Sequence, residues 1–167
     1  MEITPTKSFK MNPFVAIVIG SIIVFFVISL AINFFAKKNI KKGKVTFTDT
    51  KTGQTINIGG EKLPDTFPKD FPIYPGAKVV SSVSNIQQGK GNGLLVTFTI
   101  PSGQGLNKVV PFYKNGLNTS GWTITSSFDS DTIQTWAIAK GSTEGSVAIT
   151  TFESDPMTIV VTLGDKE

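Results

Sequence analysis

Residues 94–122 read LLVTFTIPSGQGLNKVVPFYKNGLNTSGW, and within this stretch the hydrophobic period changes once. Leu94, Val96, Phe98 and Ile100 alternate with Leu95, Thr97 and Thr99, the spacing of a strand with one apolar face. Leu106, Val109, Val110, Tyr113 and Leu117 then fall at i, i+3, i+4, i+7 and i+11, which makes one buried stripe on a helix. Pro111 lies inside that stripe. A proline interrupts the helical ladder unless it sits near the first turn, so regular helix is expected from about Asn107, with 102–106 as a loop or irregular turn. Gly121 is placed to end the helix as a left-handed residue, with Trp122 packing back onto the last turn.

On the N-terminal side, residues 77–87 read as a strand, and Gly89, Gly91 and Gly93 supply a turn that pairs it with the Leu94–Ile100 strand. On the C-terminal side four strands are expected. Trp122, Ile124, Ser126 and Phe128 alternate; 133–139 carries Trp136 and Ile138; 147–152 alternates; and Met157, Ile159, Val161 and Leu163 share a face. The turns between them are short and rich in Gly, Asp, Ser and Pro, which forces neighbouring strands to be antiparallel. The expected domain, 77–167, is therefore α+β in the order ββαββββ: a two-layer arrangement in which one helix covers an antiparallel sheet. About ninety residues bury a workable core without disulfide or metal.

The chain before residue 77 reads differently. Four prolines, at 64, 68, 72 and 75, alternate with Phe67, Phe71, Ile73 and Tyr74, which predicts an extended linker docked by its aromatics rather than a free recognition ligand. Lys44–Thr48 and Gln54–Ile58 alternate apolar with polar residues across a turn holding Asp49 and Gly53, the pattern of a short hairpin. Together with lysines 37, 38, 41, 42 and 44, these make up a basic juxtamembrane segment, hairpin and Pro-rich linker over 37–76. Residues 14–36, FVAIVIGSIIVFFVISLAINFFA, contain no charge. As a helix they reach about 34 Å, enough to cross a hydrocarbon core of about 30 Å. The expectation is a single-pass signal anchor in the bilayer behind a tail of 1–13. A cleaved signal peptide ending near Ser29-Leu30-Ala31 is the alternative, but the apolar run outlasts a signal core.

Residues 67–80, FPKDFPIYPGAKVV, and 109–122, VVPFYKNGLNTSGW, resemble a pattern in small bacterial and archaeal envelope proteins, an uncharacterised family in which an FPxYPGA entry precedes a strand and FYxxxLxxxGW closes a helix. The resemblance spans 67–163 and implies an extracytoplasmic domain. The lysine bias argues for the opposite side, with five lysines after the apolar segment against Lys7 and Lys10 before it. The outward orientation is the expectation taken here.

Composition removes most chemistry. The chain has no His and no Cys, so imidazole bases, Cys and Ser-His nucleophiles, lipobox acylation and nearly all zinc sites are excluded. All sixteen basic residues are Lys, so no guanidinium is present to fork onto guanine or phosphate, and nucleic-acid binding is not expected. The pI near 9.3 comes from residues 1–44, which carry seven Lys against Glu2, whereas 45–167 carry nine Lys against eleven acids. The loop 101–108 lacks phosphate-loop spacing, Asp129 and Asp131 read as a hairpin corner rather than a Ca²⁺ site, and the sequon Asn118-Thr119-Ser120 lies at a helix end. Trp122 and Trp136 read as a core pair gripping the helix. No catalytic residue, cofactor site or metal site is expected. The function read from the sequence is a non-catalytic module that binds an unidentified protein or envelope partner; the alternative is a carrier of a small apolar ligand between helix and sheet, or the same domain facing the cytoplasm.

Overall fold

The computed structural model describes residues 45–59, 62–88, 91–101, 103–152 and 155–166. They fall in one compact unit, Lys41–Glu167. The strands are β1 (Val45–Thr48), β2 (Thr55–Ile58), β3 (Lys78–Gln88), β4 (Gly91–Thr99), β5 (Thr123–Asp129), β6 (Ile133–Lys140), β7 (Thr143–Phe152) and β8 (Asp155–Asp165), with one helix, α1 (Leu106–Thr119), between β4 and β5. They form a single eight-stranded sheet in the order β1-β2-β3-β4-β8-β7-β6-β5. Each neighbouring pair runs antiparallel.

The expected fold class is corrected in two respects. The sheet is eight-stranded and the order is ββββαββββ, because β2 pairs with β3 in the register Thr55↔Ser84 to Ile58↔Ser81 and so carries the β1–β2 hairpin into the main sheet. The hairpin itself forms over the expected turn. The N–H of Gly53 donates to the Asp49 carbonyl at 2.8 Å, Gly53 has φ +70°, and the Asp49 carboxylate accepts the N–H of Lys51 at 2.8 Å. That last bond, more than any other, holds the Asp49 carboxyl below the usual aspartate range. The expected transmembrane helix, 14–36, lies outside the described residues, and among the described residues no helix is long and apolar enough to cross a membrane. The fold described here therefore contains no membrane-spanning helix, and the single-pass signal-anchor reading has no support among the described residues.

One face of the sheet meets the helix. Val96 and Phe98 of β4 face Val161 and Ile159 of β8, which face Val147 and Ile149 of β7, and Trp136 and Ile138 of β6 continue the layer. Onto them α1 lowers Val109, Tyr113 and Leu117, all fully buried. The helix begins at Leu106, so Pro111 lies inside it, beyond the first turn, and leaves the Asn107 carbonyl without its i+4 amide donor. It ends as expected. Trp122 donates its N–H to Leu117 O at 2.9 Å, Gly121 donates to Asn118 O at 3.0 Å, and Gly121 has φ +79°. This is a Schellman cap in which Leu117 and Trp122, both buried, make the accompanying apolar contact.

The expectation for β5 holds as far as Ile124 and fails beyond it. A bulge between Ile124 and Ser126 shifts the alternation, so Ile124 faces the core opposite Ile138 while Phe128, opposite Thr135, faces the other way and is 62% exposed. On that second face Leu95, Thr97, Thr135, Ala137 and Val160 are buried, and Phe47, Ile56, Phe128 and Ile133 stand exposed near the two edges.

Candidate functional site

The Pro-rich segment builds the surroundings of the candidate site. Phe67 and Phe71 are buried in the core, packed edge-on at 5.3 Å, with Phe67 against Phe98 and Phe71 against Trp122. Pro72 rests on α1 at Gly116, where a Cβ would lie 2.6 Å from the proline ring. Tyr74-Pro75-Gly76-Ala77 is a turn with the Ala77 N–H on Tyr74 O at 2.9 Å and Gly76 at φ +79°, the geometry that proline then glycine favour in type II. Tyr74 packs edge-on against Phe112, and its hydroxyl donates to Gln104 Oε1 at 3.0 Å. Apart from Ile73 and Ala77, the FPxYPGA and FYxxxLxxxGW residues thus serve as framework: they dock the segment, fill the core and cap the helix.

Two ion pairs fasten the same layers. Lys140 pairs with Asp70, donates to Ser120 O at 2.7 Å and lies 5.9 Å from the Trp122 ring centre, so one ammonium ties β6, the helix end and the Pro-rich segment together. The Lys140 hydrogen bond is the main reason the Asp70 carboxyl sits below its usual range. Lys114 lies 5.3 Å above the Trp136 ring and 3.8 Å from Asp129, whose other oxygen accepts the indole N–H at 3.4 Å. The Asp129 corner is therefore a docking point for the helix. Among the described residues no group of acidic side chains is arranged to hold a metal ion. Within 101–108, Leu106, Asn107 and Lys108 open α1 and Gln104 anchors Tyr74.

Tyr113 carries a pH-dependent part of the stability. Burial of its ring in the helix–sheet layer raises the hydroxyl pKa from 10 to about 12, against a smaller opposing effect of the Tyr74 N–H that it accepts at 3.4 Å. Below pH 10 folded and unfolded chains both hold the proton, and this contribution is complete. Between pH 10 and 12 the unfolded chain loses the proton while the native state keeps it, so stability falls by about 2–3 kcal/mol. Urea unfolding at stepped pH checks this, and Tyr113→Phe is expected to remove that share of the alkaline loss.

The helix–sheet interface is solid. Trp136, Tyr113, Phe98, Leu117 and Ile138 fill it with almost no exposure, so the expected ligand space between helix and sheet is occupied by side chains. The apolar hollow lies elsewhere, where the Pro-rich segment crosses the start of β3 and the end of β4. Leu63, Ile73, Ala77, Val79 and Phe98 line a crevice of about 420 Å³, with Lys78 the one charged residue of the lining. Val79 and Phe98 are a cross-strand pair at its floor, and Ile73, 40% exposed, stands at its rim. A second hollow of about 230 Å³, lined by Thr66, Pro68, Asn92, Leu94, Leu163 and Asp165 among others, opens at the far end of β4 and β8. The sequence assigned no residue to the crevice; the alternation of aromatics and prolines in 63–77 was its one signal, read as docking.

The domain is thus a sheet gripping one helix, with a crevice at its rim. A family model described as START domain-like matches residues 79–161, from β3 to β8, just under half of the chain. Over that span the chain is similar to this family. The match includes strand, helix and core, and it speaks to neither an anchor nor an envelope partner. No curated protein and no solved structure matches the chain.

Proposed function

We propose that this domain is a non-catalytic module that binds a small apolar ligand in the crevice between the Pro-rich segment and the β3–β4 hairpin. The carrying observation is the crevice itself: about 420 Å³ walled by Leu63, Ile73, Ala77, Val79 and Phe98. That volume lies within the range of small-molecule sites, about 300–1,000 Å³, and five of its six lining residues are apolar. The START domain-like match is compatible with a ligand-binding module. Burial of apolar ligand surface at about 25 cal/mol per Å² supplies the driving force. An extracytoplasmic location and a protein partner belong to the same proposal and rest on the envelope resemblance.

The test is titration of the full-length protein with N-phenylnaphthylamine, a neutral fluorophore that brightens in apolar surroundings. Saturable binding is expected. Ala77→Trp, which fills the crevice, should weaken it at least about ten-fold, and Ile73→Glu at the exposed rim should weaken it without altering the circular dichroism. Binding that survives both substitutions would place the apolar site elsewhere.

A further inference from the structure

We infer that β1 is a self-association edge: Val45–Thr48 pairs antiparallel with β1 of a second copy of this chain, with Phe47 of each copy beside the two-fold axis. The sheet has two edge strands, β1 and β5. β5 carries a bulge between Ile124 and Ser126 and ends on Asp129, two features that discourage the addition of a further strand. β1 has neither. Its register with β2 is unbroken from Val45↔Ile58 to Thr48↔Thr55, and none of its four residues is charged or a proline. Thr46, Phe47 and Thr48 are exposed, Phe47 at 60%.

The phase of the β1–β2 ladder identifies the free backbone groups. Asp49 donates its N–H to Gln54 O at 2.9 Å, so in the same register Phe47 and Val45 turn their backbone groups toward β2, while Thr46 and Thr48 turn theirs to the open edge. Among the described residues no strand or loop pairs with them. An antiparallel second β1 engages both threonines when Thr46 of each copy lies opposite Thr48 of the other, and that register sets Phe47 opposite Phe47. In such a non-hydrogen-bonded position side chains approach closely, and a cross-strand aromatic pair is favourable. Each Phe47 already lies opposite its own Ile56, which is exposed on the face away from the helix, so pairing joins the two exposed pairs into one apolar patch. Charge also suits a second copy. In sequence the strand stands between Lys44 and Asp49, so antiparallel pairing brings the basic end of each copy to the acidic end of the other. Four residues a side fall short of the roughly 1,000 Å² of a stable interface, so the association is weak and rises with concentration.

The chain has no cysteine, so introduced thiols report the pairing. Full-length Thr46→Cys, carrying an affinity tag, is mixed with full-length Thr48→Cys and oxidised with diamide. A disulfide-linked mixed dimer is expected, because residues paired in this way have Cα atoms about 5.5 Å apart, within disulfide reach. Either variant alone should cross-link several-fold less, since its cysteines would lie on the diagonal, about 7–8 Å apart. Phe47→Lys added to both proteins sets like charges directly opposite and should lower the mixed dimer at least about five-fold, with unchanged circular dichroism. Phe128→Lys, the same change at the other edge, should leave it unaltered. Absence of the mixed dimer, equal cross-linking in single and mixed samples, or a loss caused by Phe128→Lys and not by Phe47→Lys overturns the β1 pairing.

Discussion

Gly145→Ala is expected to cost about 3 kcal/mol or more, the severest effect of any single methyl group added to this domain. Gly145 lies in β7 opposite Leu163 of β8 and Ile138 of β6. A Cβ at this position would lie 1.9 Å from the Thr162 carbonyl oxygen, 2.9 Å from its carbon and 3.0 Å from Leu163 Cα. All three are backbone atoms, so no rotamer change relieves the clash, and β7 must move away from β8. That movement opens the ladder through which β6 and β5 are joined to the rest of the sheet. Overpacked cores ordinarily lose about 1–3 kcal/mol when side chains can adjust, and here they cannot. Against a total stability of about 5–15 kcal/mol the loss is large. Gly141, four residues earlier, is the control: it has φ +59°, but nothing lies within 4 Å of its would-be Cβ. Gly141→Asn, a residue that tolerates the left-handed region, should stay within about 0.5–1 kcal/mol of the parent. Urea denaturation of the three proteins measures both; a Gly145→Ala midpoint close to that of the parent would show that the β7–β8 contact is looser than described.

Trp136→Ala should destabilise the domain by about 3–5 kcal/mol, the range for truncating a large buried aromatic. Trp136 is fully buried in β6, between Ser127 of β5 and Val147 of β7. Its removal leaves a void beneath the helix and takes away the surface over which Lys114 is held and the N–H that Asp129 accepts. Trp136→Phe keeps most of the volume and loses the hydrogen bond and the larger ring, so about half the penalty is expected. The two substitutions separate packing from the Lys114–Asp129 tie: if Phe is as damaging as Ala, the polar contacts carry the site, and if both are mild, the helix is held chiefly by its C-terminal cap and the Pro-rich segment.

These two positions mark what supports the crevice. Phe98 is at once its floor and part of the layer that Trp136 completes, and Leu63 and Ile73 are held over it by Phe67 and Phe71 in the core. Binding measured in destabilised variants will therefore report framework as well as site, which is why the test of function uses Ala77 and Ile73 rather than a core residue.

The sequence by itself determined the local elements. Strand alternation in 94–100, the helical stripe Leu106 to Leu117 and the cap at Gly121-Trp122 are all set by residues within a few positions of each other, and each is present in the structure. The absence of His, Cys and Arg fixed in advance which chemistries are closed to the chain. What the tertiary structure decided is everything that depends on distant partners. Nothing in Thr55–Ile58 announces that its neighbour is Ser81–Ser84, because hydrogen bonding between backbones carries no sequence signal; hence the sheet has eight strands where six were expected. The bulge at Ile124/Ser126 turned Phe128 outward against its alternation, since one inserted residue reverses every side chain beyond it. The crevice likewise lies at the rim, because Trp136, Tyr113 and Phe98 close the space between helix and sheet, and room is left where the Pro-rich segment bridges over Val79.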